Sequence, residues 1–486
     1  MAPTRLAAHL RPTAAPAVPM PPASAAVEGW AGPVDGAARL EVLLGDPRDP
    51  ANPYGRAALW AAGYDALPAP PAGLPGSGRG RPCADGLARA LRPLFCRDLA
   101  LAHAWSIRPP AGAPAPDGAG LLAPAALLAS AGGILRTTAR IVAGLSRHDP
   151  AAGQWHPVLA GLFAELLACE SLVALALRSC PRPGCPRPGR PGPRPAAPAA
   201  PAGEGEGLEA VVGYVVPQLA GELLDDLELV LNECGFGAAS VEQRMLARLA
   251  GSREGAGAGW RAARGAQARL ARALPRRAGP HPDPATAPAV GGAAVGPAAD
   301  AAADAAAGVE ADLAALFRIT VRAPALACGG LTWRALAQSL PATATATACA
   351  GDGGDGGGGG GGEGEALVRA GRRLLVEQRA LRAASAAAHA AGAGPADPAV
   401  RALADRQALL VLAAAVLGVR RAAAGDGPRF LGRSGWALVA LGRITERLGL
   451  APVHHAPDPR PGVWQELARR ADGGADCDLY ATRLLW

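Results

Sequence analysis

Lysine is absent from this 486-residue chain, so all 48 basic side chains are arginine. Asparagine occurs only at Asn52 and Asn232, and Met (3), Tyr (4) and Phe (5) are scarce. The missing residues share AT-rich codons, and the bias reads as an extremely GC-rich genome imposed on the protein. It removes Schiff-base chemistry, a P-loop lysine and side-chain acetylation or ubiquitination from the functions open to the chain. It also weakens any argument from arginine identity, because codons chose the cation before phosphate recognition did. A disulfide framework is lacking too. The nine cysteines (Cys83, Cys96, Cys169, Cys180, Cys185, Cys234, Cys328, Cys349 and Cys477) are odd in number and irregularly spaced. Met1-Ala2-Pro3-Thr4-Arg5 leads into a Pro-rich stretch instead of an apolar signal core, which predicts a reducing intracellular compartment. The longest strongly apolar run, 408–419, is too short to cross ~30 Å of hydrocarbon as a helix. It predicts a core helix and no transmembrane segment.

Half of the residues are apolar, but many are alanine, so Leu, Val and nine Trp must supply the core. The net charge is +7 with 41 acids against 48 arginines, so only local clusters can build a binding field. Helical periodicity dominates. Leu127, Ile134 and Ile141 recur every seven residues, as do Leu128, Leu135 and Val142, with Arg136 and Arg140 roughly opposite. Residues 155–178 carry Leu159, Leu162, Phe163, Leu166, Val173 and Leu177 on one broad face. Residues 217–232 read as a helix opened by Pro217 and capped by Gly235, with Glu222, Asp225, Asp226 and Glu228 outward. Leu367, Leu374 and Leu381 form a stripe in 366–391, and further helices are expected at 84–105, 400–423, 436–448 and 463–471. Strand alternation is nearly absent, so the expected fold is all-α: an irregular multi-helix bundle core with long disordered Pro/Gly/Ala-rich insertions.

Composition shifts divide the chain. A flexible leader (1–36) precedes an N-terminal helical region (37–179), within which 68–82 is a Pro/Gly loop. A Pro-Arg-Pro-Gly linker (180–207), a central helical region (208–274) and a second linker (275–308) follow. A short helical segment (309–340), a Gly-rich linker (341–365) and a C-terminal helical region (366–486) complete the order. The Gly tract lacks the Lys-Ser/Thr of a phosphate-binding loop.

No catalytic signature emerges. Glu170 falls within an apolar helix face, where a carboxylate has a raised pKa and marks a site, unless it lies at the edge of that face or bonds an arginine. Asp225 and Asp226, about 100° apart on a helix, read as a solvated acidic face. Cys180 and Cys185 have no second pair or nearby His for zinc, and His454-His455 has no third ligand. Gly432-Arg433-Ser434-Gly435 lacks nucleophile-elbow spacing. No enzyme, metal or cofactor is expected. The strongest electrostatic cluster contains Arg244, Arg248, Arg253, Arg261, Arg264, Arg269, Arg272, Arg276 and Arg277 around Trp260. Of these, Arg261, Arg264, Arg269, Arg272, Arg276 and Arg277 are candidate contacts to RNA or an acidic protein. The alternatives are a solvated amphipathic helix, or neutralisation by the acidic helix just before it.

Leu99-Ala100-Leu101-Ala102-His103-Ala104-Trp105-Ser106-Ile107, followed after a Pro/Gly loop by a helix over 122–145, resembles the helical core of the alphaherpesvirus tegument phosphoproteins. Near the end, a helix over 407–421, the Gly425-Asp426-Gly427 turn, a helix over 436–448 and Pro461-Gly462-Val463-Trp464-Gln465-Glu466-Leu467 follow in that family's order. Arg5-Leu6-Ala7-Ala8-His9-Leu10-Arg11-Pro12 is similar to the branch associated with signalling-kinase activation, one of two related branches encoded by neighbouring genes. The resemblance covers about 84–180 and 366–471. It implies a virion protein between capsid and envelope, found also in the cytoplasm and nucleus of the infected cell. It further implies contacts with other tegument or virion proteins and with host signalling proteins, and modulation of immediate-early transcription. The family supplies no catalytic residue. The chain lacks the tyrosine-motif tail of the signalling branch, its tyrosines being Tyr54, Tyr64, Tyr214 and Tyr480, and lacks the Arg-rich amino-terminal extension of the other branch. These departures leave adaptor recruitment, RNA binding and nuclear import open.

Three functional expectations follow: a structural and regulatory tegument protein, an RNA-binding protein using 244–277, and a helical enzyme or regulator from a high-GC bacterium.

Overall fold

A computed structural model describes residues 33–63, 67–70, 83–107, 118–180, 208–274, 317–318, 336–337, 361–426, 429–452 and 457–485. Among them are fifteen α-helices and no strand; an isolated antiparallel bridge joins Ala475 and Arg483. The fold is all-α, as the periodicity predicts. The helices are α1 (Pro33–Leu44), α2 (Arg56–Ala62), α3 (Ala84–Ala90), α4 (Arg92–Arg97), α5 (Leu99–Ala102), α6 (Ala119–Ser146), α7 (His156–Ser179) and α8 (Leu208–Glu233). After them come α9 (Val241–Ser252), α10 (Trp260–Ala273), α11 (Gly361–Ala390), α12 (Pro398–Asp426), α13 (Arg429–Gly432), α14 (Ser434–Arg447) and α15 (Arg460–Asp472). A π-helical turn, His103–Ile107, extends α5, and a 3-10 turn, Pro150–Trp155, leads into α7.

α7 is the axis of the molecule. It packs against α6, α8, α12, α14 and α15, which come from all three helical regions of the sequence. Every residue from Leu159 to Arg178 is buried. The expected single apolar face is therefore corrected: α7 is enclosed all round, as its near-continuous apolar sequence allows. α6 keeps the predicted polarity in part: Leu127, Leu128, Ile134, Leu135 and Val142 are buried and Arg140 is exposed, but Ile141 and Arg136 are half-buried, and the charge of Arg136 acts on the buried Asp476. Gly132 permits its close approach to α7, since a Cβ there lies 3.3 Å from a Leu166 methyl and 3.6 Å from Cys477.

Other boundaries differ from the sequence reading for local reasons. Residues 84–105 are not one helix: Asp98 is extended (φ −169°), and its carboxylate caps α5 by accepting from the Leu101 N–H. Pro217 lies inside α8 instead of opening it. Burial of Leu208, Val211, Val212, Val215 and Val216 offsets the cost of an interior proline, about 3 kcal/mol. Gly235 caps α8 as predicted, at φ +85°. α11 begins at Gly361, four residues before the end of the Gly-rich linker, and α1 begins at Pro33, within the leader. α12 continues through Gly425 and Asp426, where a turn was expected. Only Phe317, Arg318, Leu336 and Ala337 of the 309–340 segment are described. The leader before 33, the two linkers after 180 and 274, Cys185, His454 and His455 lie outside the described residues.

Three helices are long and apolar enough to cross a membrane by length and composition: 120–146, 150–179 and 398–424. The last contains the run 408–419, so that run belongs to a helix longer than its apolar core. Most of each segment is buried against other helices.

After α15, residues 473–485 fold back across the bundle. Gly474 turns the chain at φ +65°, and the Leu484 N–H donates to its carbonyl. The Leu485 N–H donates to the Glu41 carboxylate on α1 at 2.6 Å.

The two central glycines of α6 predict opposite responses. Gly132→Leu should destabilise by about 1–3 kcal/mol, because the added atoms separate α6 from α7. Gly133→Ala has its nearest contact at 3.8 Å; it should be neutral or stabilising by up to about 1 kcal/mol. Urea denaturation of both variants measures the difference.

Candidate functional site

Charge gathers on an exposed arginine face and in a buried ionic cluster. The first is the site expected from sequence. The arginines of 244–277 do not act together, because helices α9 and α10 are separated by a bend at 253–259. Arg248 is ion-paired to Asp98 in the interior, and Arg253 donates to the Pro217 carbonyl at 2.8 Å. Arg244 lies over the Trp60 ring, 4.6 Å from its centroid. Arg276 and Arg277 lie outside the described residues. Arg261, Arg264, Arg269 and Arg272 are brought together on the exposed side of α10, while Ala263, Ala266 and Leu270 face the core. Trp260, 55% exposed, starts this face, with Arg261 and Arg264 guanidiniums 5.9 and 5.5 Å from its ring centroid. Both are within cation–π range.

The acidic residues of α8 do not neutralise this face. Glu222 pairs with Arg447, and Asp226 lies 3.7 Å from Arg443, both on α14. The same two arginines hold Glu165 of α7, at 2.5 Å from Arg447 and 2.8 Å from Arg443. The expected solvated acidic face is thus in part an inter-helix clasp.

The buried cluster centres on Arg92 of α4. Its Nη1 donates to Glu170 of α7 and its Nε to Asp476 of the folded-back segment, each at 2.6 Å. Glu170 is accordingly the arginine-bonded carboxylate among the alternatives its sequence position left open. Asp476 also accepts from the Cys477 N–H at 2.8 Å and from the Cys96 thiol at 3.5 Å. Arg470 of α15 donates to the carbonyls of Asp476 (3.3 Å) and Asp478 (2.5 Å), and its guanidinium lies 5.2 Å from the Phe163 ring centroid. Asp478 in turn accepts from the Thr482 N–H at 2.9 Å and its hydroxyl at 2.5 Å.

One guanidinium facing two carboxylates sets the protonation. Burial pushes Glu170 up to about 7 against the opposing pull of Arg92. For Asp476 burial acts upward as well, but Arg92 and Arg136 outweigh it and hold the carboxyl below its usual range. Burial also works against the charge on Arg92, and Asp476 and Glu170 more than compensate, raising it. Cys96 and Cys477 are pushed up, Cys477 to about 12, by burial and by Asp476, which makes both poor thiolates. Tyr480 rises through burial and Asp85.

Beside the cluster, Arg92, Glu170, Asp478, Tyr480, Asp85 and Arg89 help to line a cavity of about 40 Å³. Arg92 Nη2 and Tyr480 Oη have no hydrogen-bond partner among the described residues. The space suits a water-sized molecule, not an organic substrate. Ser434, the other candidate hydroxyl, accepts from Arg420 at 3.1 Å. Among the described residues, no group of three His, Cys, Asp or Glu is placed to hold a metal ion.

Sequence reasoning found Glu170 but missed Arg92, Asp476, Asp478 and Arg470. Asp476-Cys477-Asp478 lies beyond any helical period, and Asp476 meets Arg92 across 384 positions, so no local pattern marks the pair. No protein-family model matches the chain, and neither curated proteins nor solved structures give a match.

The opposed shifts fix the pH behaviour. Glu170 is raised on folding, so its contribution is fully present below about pH 4.5 and is lost as pH rises towards 7. Asp476 is lowered, so its contribution is present above its unfolded pKa and lost as pH falls through the folded value. Glu170→Gln keeps an acceptor for Arg92 and should flatten stability between pH 4.5 and 7. Asp476→Asn removes one of the two carboxylates that hold the buried guanidinium and should cost about 3–5 kcal/mol at pH 7. Chemical denaturation across pH 4–8 tests both; a Glu170→Gln profile parallel to wild type would contradict the assignment.

Proposed function

We propose that this chain is a structural and regulatory protein of the alphaherpesvirus tegument, acting through contacts with other virion proteins. On this reading it resides in the virion and in the cytoplasm and nucleus of the infected cell, where it modulates immediate-early transcription and host signalling. The resemblance in 84–180 and 366–471 supports it, and those stretches hold α3 to α7 and α11 to α15, which form much of the packing around α7. The three long apolar helices are read as core, not membrane spans, because most of each is covered by protein and α7 places Glu165 and Glu170 in ion pairs.

The observation that carries a contact function is the α10 face. Arg248, Arg443 and Arg447 are used in internal ion pairs, whereas Arg261, Arg264, Arg269 and Arg272 lie exposed beside Trp260. Such a face fits an acidic protein surface, with arginine and tryptophan as anchoring types. RNA is the second reading, favoured by the arginines flanking an exposed indole.

Affinity purification from infected cells should recover tegument proteins, and Arg261→Gln/Arg264→Gln/Arg269→Gln/Arg272→Gln should reduce that recovery at least several-fold while the chain stays folded. Absence of the chain from purified virions would remove the tegument reading. If RNA is the partner, wild type binds single strands with a log–log salt slope near −3, from four neutralised phosphates at about 0.7 each. No binding at low salt would remove the RNA reading.

A further inference from the structure

A second arginine group lies where α9 meets the turn between α1 and α2. Arg48, Arg56 and Arg244, with Trp60, Pro47 and Val241, line a solvent-open cavity of about 540 Å³. That volume is in the range of ligand pockets. None of the three guanidiniums is ion-paired among the described residues, in contrast to Arg248 one helical turn beyond Arg244. Burial and the neighbouring Arg48 hold Arg56 below the ordinary arginine range, with Asp46 and Glu242 opposing them only in part. The group therefore carries excess positive charge at close quarters.

The turn that carries Arg48 is fixed in place. Asn52 Nδ2 donates to the carbonyls of Leu44 (2.8 Å) and Asp46 (2.7 Å), and the Arg56 N–H donates to the Pro47 carbonyl at 2.9 Å. Arg97 donates to the Gly45 carbonyl at 2.6 Å, tying the turn to α4. Arg244 is held over the Trp60 ring, so one face of that ring is already covered by a guanidinium and not offered to a nucleobase.

We propose that this pocket binds a phosphate monoester presented by a phosphorylated side chain of a partner protein. Three unpaired guanidiniums match a group of charge near −2 with three acceptor oxygens better than a single carboxylate. Recognition of phosphorylated motifs by arginine clusters follows the same chemistry. The open mouth, edged by exposed Val241, Ala57 and Ala61, leaves room for the flanking peptide. The site is separate from the α10 face and does not depend on the tegument reading.

Fluorescence anisotropy of the full chain with a labelled Ala-Gly-phosphoserine-Gly-Ala peptide tests it. The phosphopeptide should bind, its unphosphorylated counterpart should not, and inorganic phosphate should compete only at higher concentration. Arg56→Gln/Arg244→Gln should weaken binding by about tenfold or more, through loss of two charge-assisted contacts. Arg379→Gln, exposed on α11, should leave it unchanged. Arg48→Gln, exposed on the turn, gives a milder test should the double variant lose its fold, and should weaken binding by about threefold or more. Equal binding of the unphosphorylated peptide, or wild-type affinity in folded Arg56→Gln/Arg244→Gln, overturns the proposal. Inorganic phosphate binding as tightly as the peptide assigns the pocket to the free anion and overturns the peptide carrier. Capture by phosphatidic acid vesicles without peptide binding assigns it to a lipid headgroup, with the same result.

Discussion

The structure depends on the enclosure of α7. A helix surrounded on all sides has no solvent in which to leave a charge, yet α7 carries Glu165 and Glu170. Each must find a cation from another helix. Arg92 arrives from α4, and Arg443 and Arg447 from α14, so the two carboxylates select which helices lie against which sides of the axis. Buried ion pairs add little net stability compared with apolar packing, but a wrong neighbour leaves a charge stranded. The apolar surface drives the bundle together, and the carboxylates discriminate among its arrangements.

The same principle separates the arginines into two populations. With no lysine in the chain, arginine serves in interiors and on surfaces alike, so the type carries no message. Location does. Arg92 and Arg470 are sealed in the core and serve carbonyls and carboxylates, while Arg261, Arg264, Arg269 and Arg272 of α10 are exposed and Arg48, Arg56 and Arg244 line an open cavity. Bulk charge could not separate these roles.

Most of the fold was legible because it is written at short range. The seven-residue recurrence of Leu127, Ile134 and Ile141 and the stripe of Leu367, Leu374 and Leu381 require only helical geometry to interpret. Boundaries were less legible where one side chain competes with the period. Asp98 breaks 84–105 by capping, and Pro217 is tolerated inside α8 because its helix is packed on both sides of it. The candidate sites were legible in halves. The Trp260 face is a local pattern on one helix and was visible, although the larger cluster around it proved to be divided by a bend. Arg48, Arg56 and Trp60 meet Arg244 only through tertiary packing, and Arg92 meets Asp476 only through the fold-back of 473–485. Neither juxtaposition has a local signal.

That fold-back also orders events in time. Glu170 follows Arg92 by 78 positions, whereas Asp476 follows by 384. At about 5–20 residues per second, Asp476 leaves synthesis roughly 20–80 s after Arg92. Until then Glu170 is the only one of the two carboxyl partners of Arg92 that the chain holds. Docking of Asp476 occupies the guanidinium's Nε and ties α4 to the segment 473–485. The ionic centre of the bundle is therefore completed only once residue 476 has been made, long after α4 and α7 are free to meet.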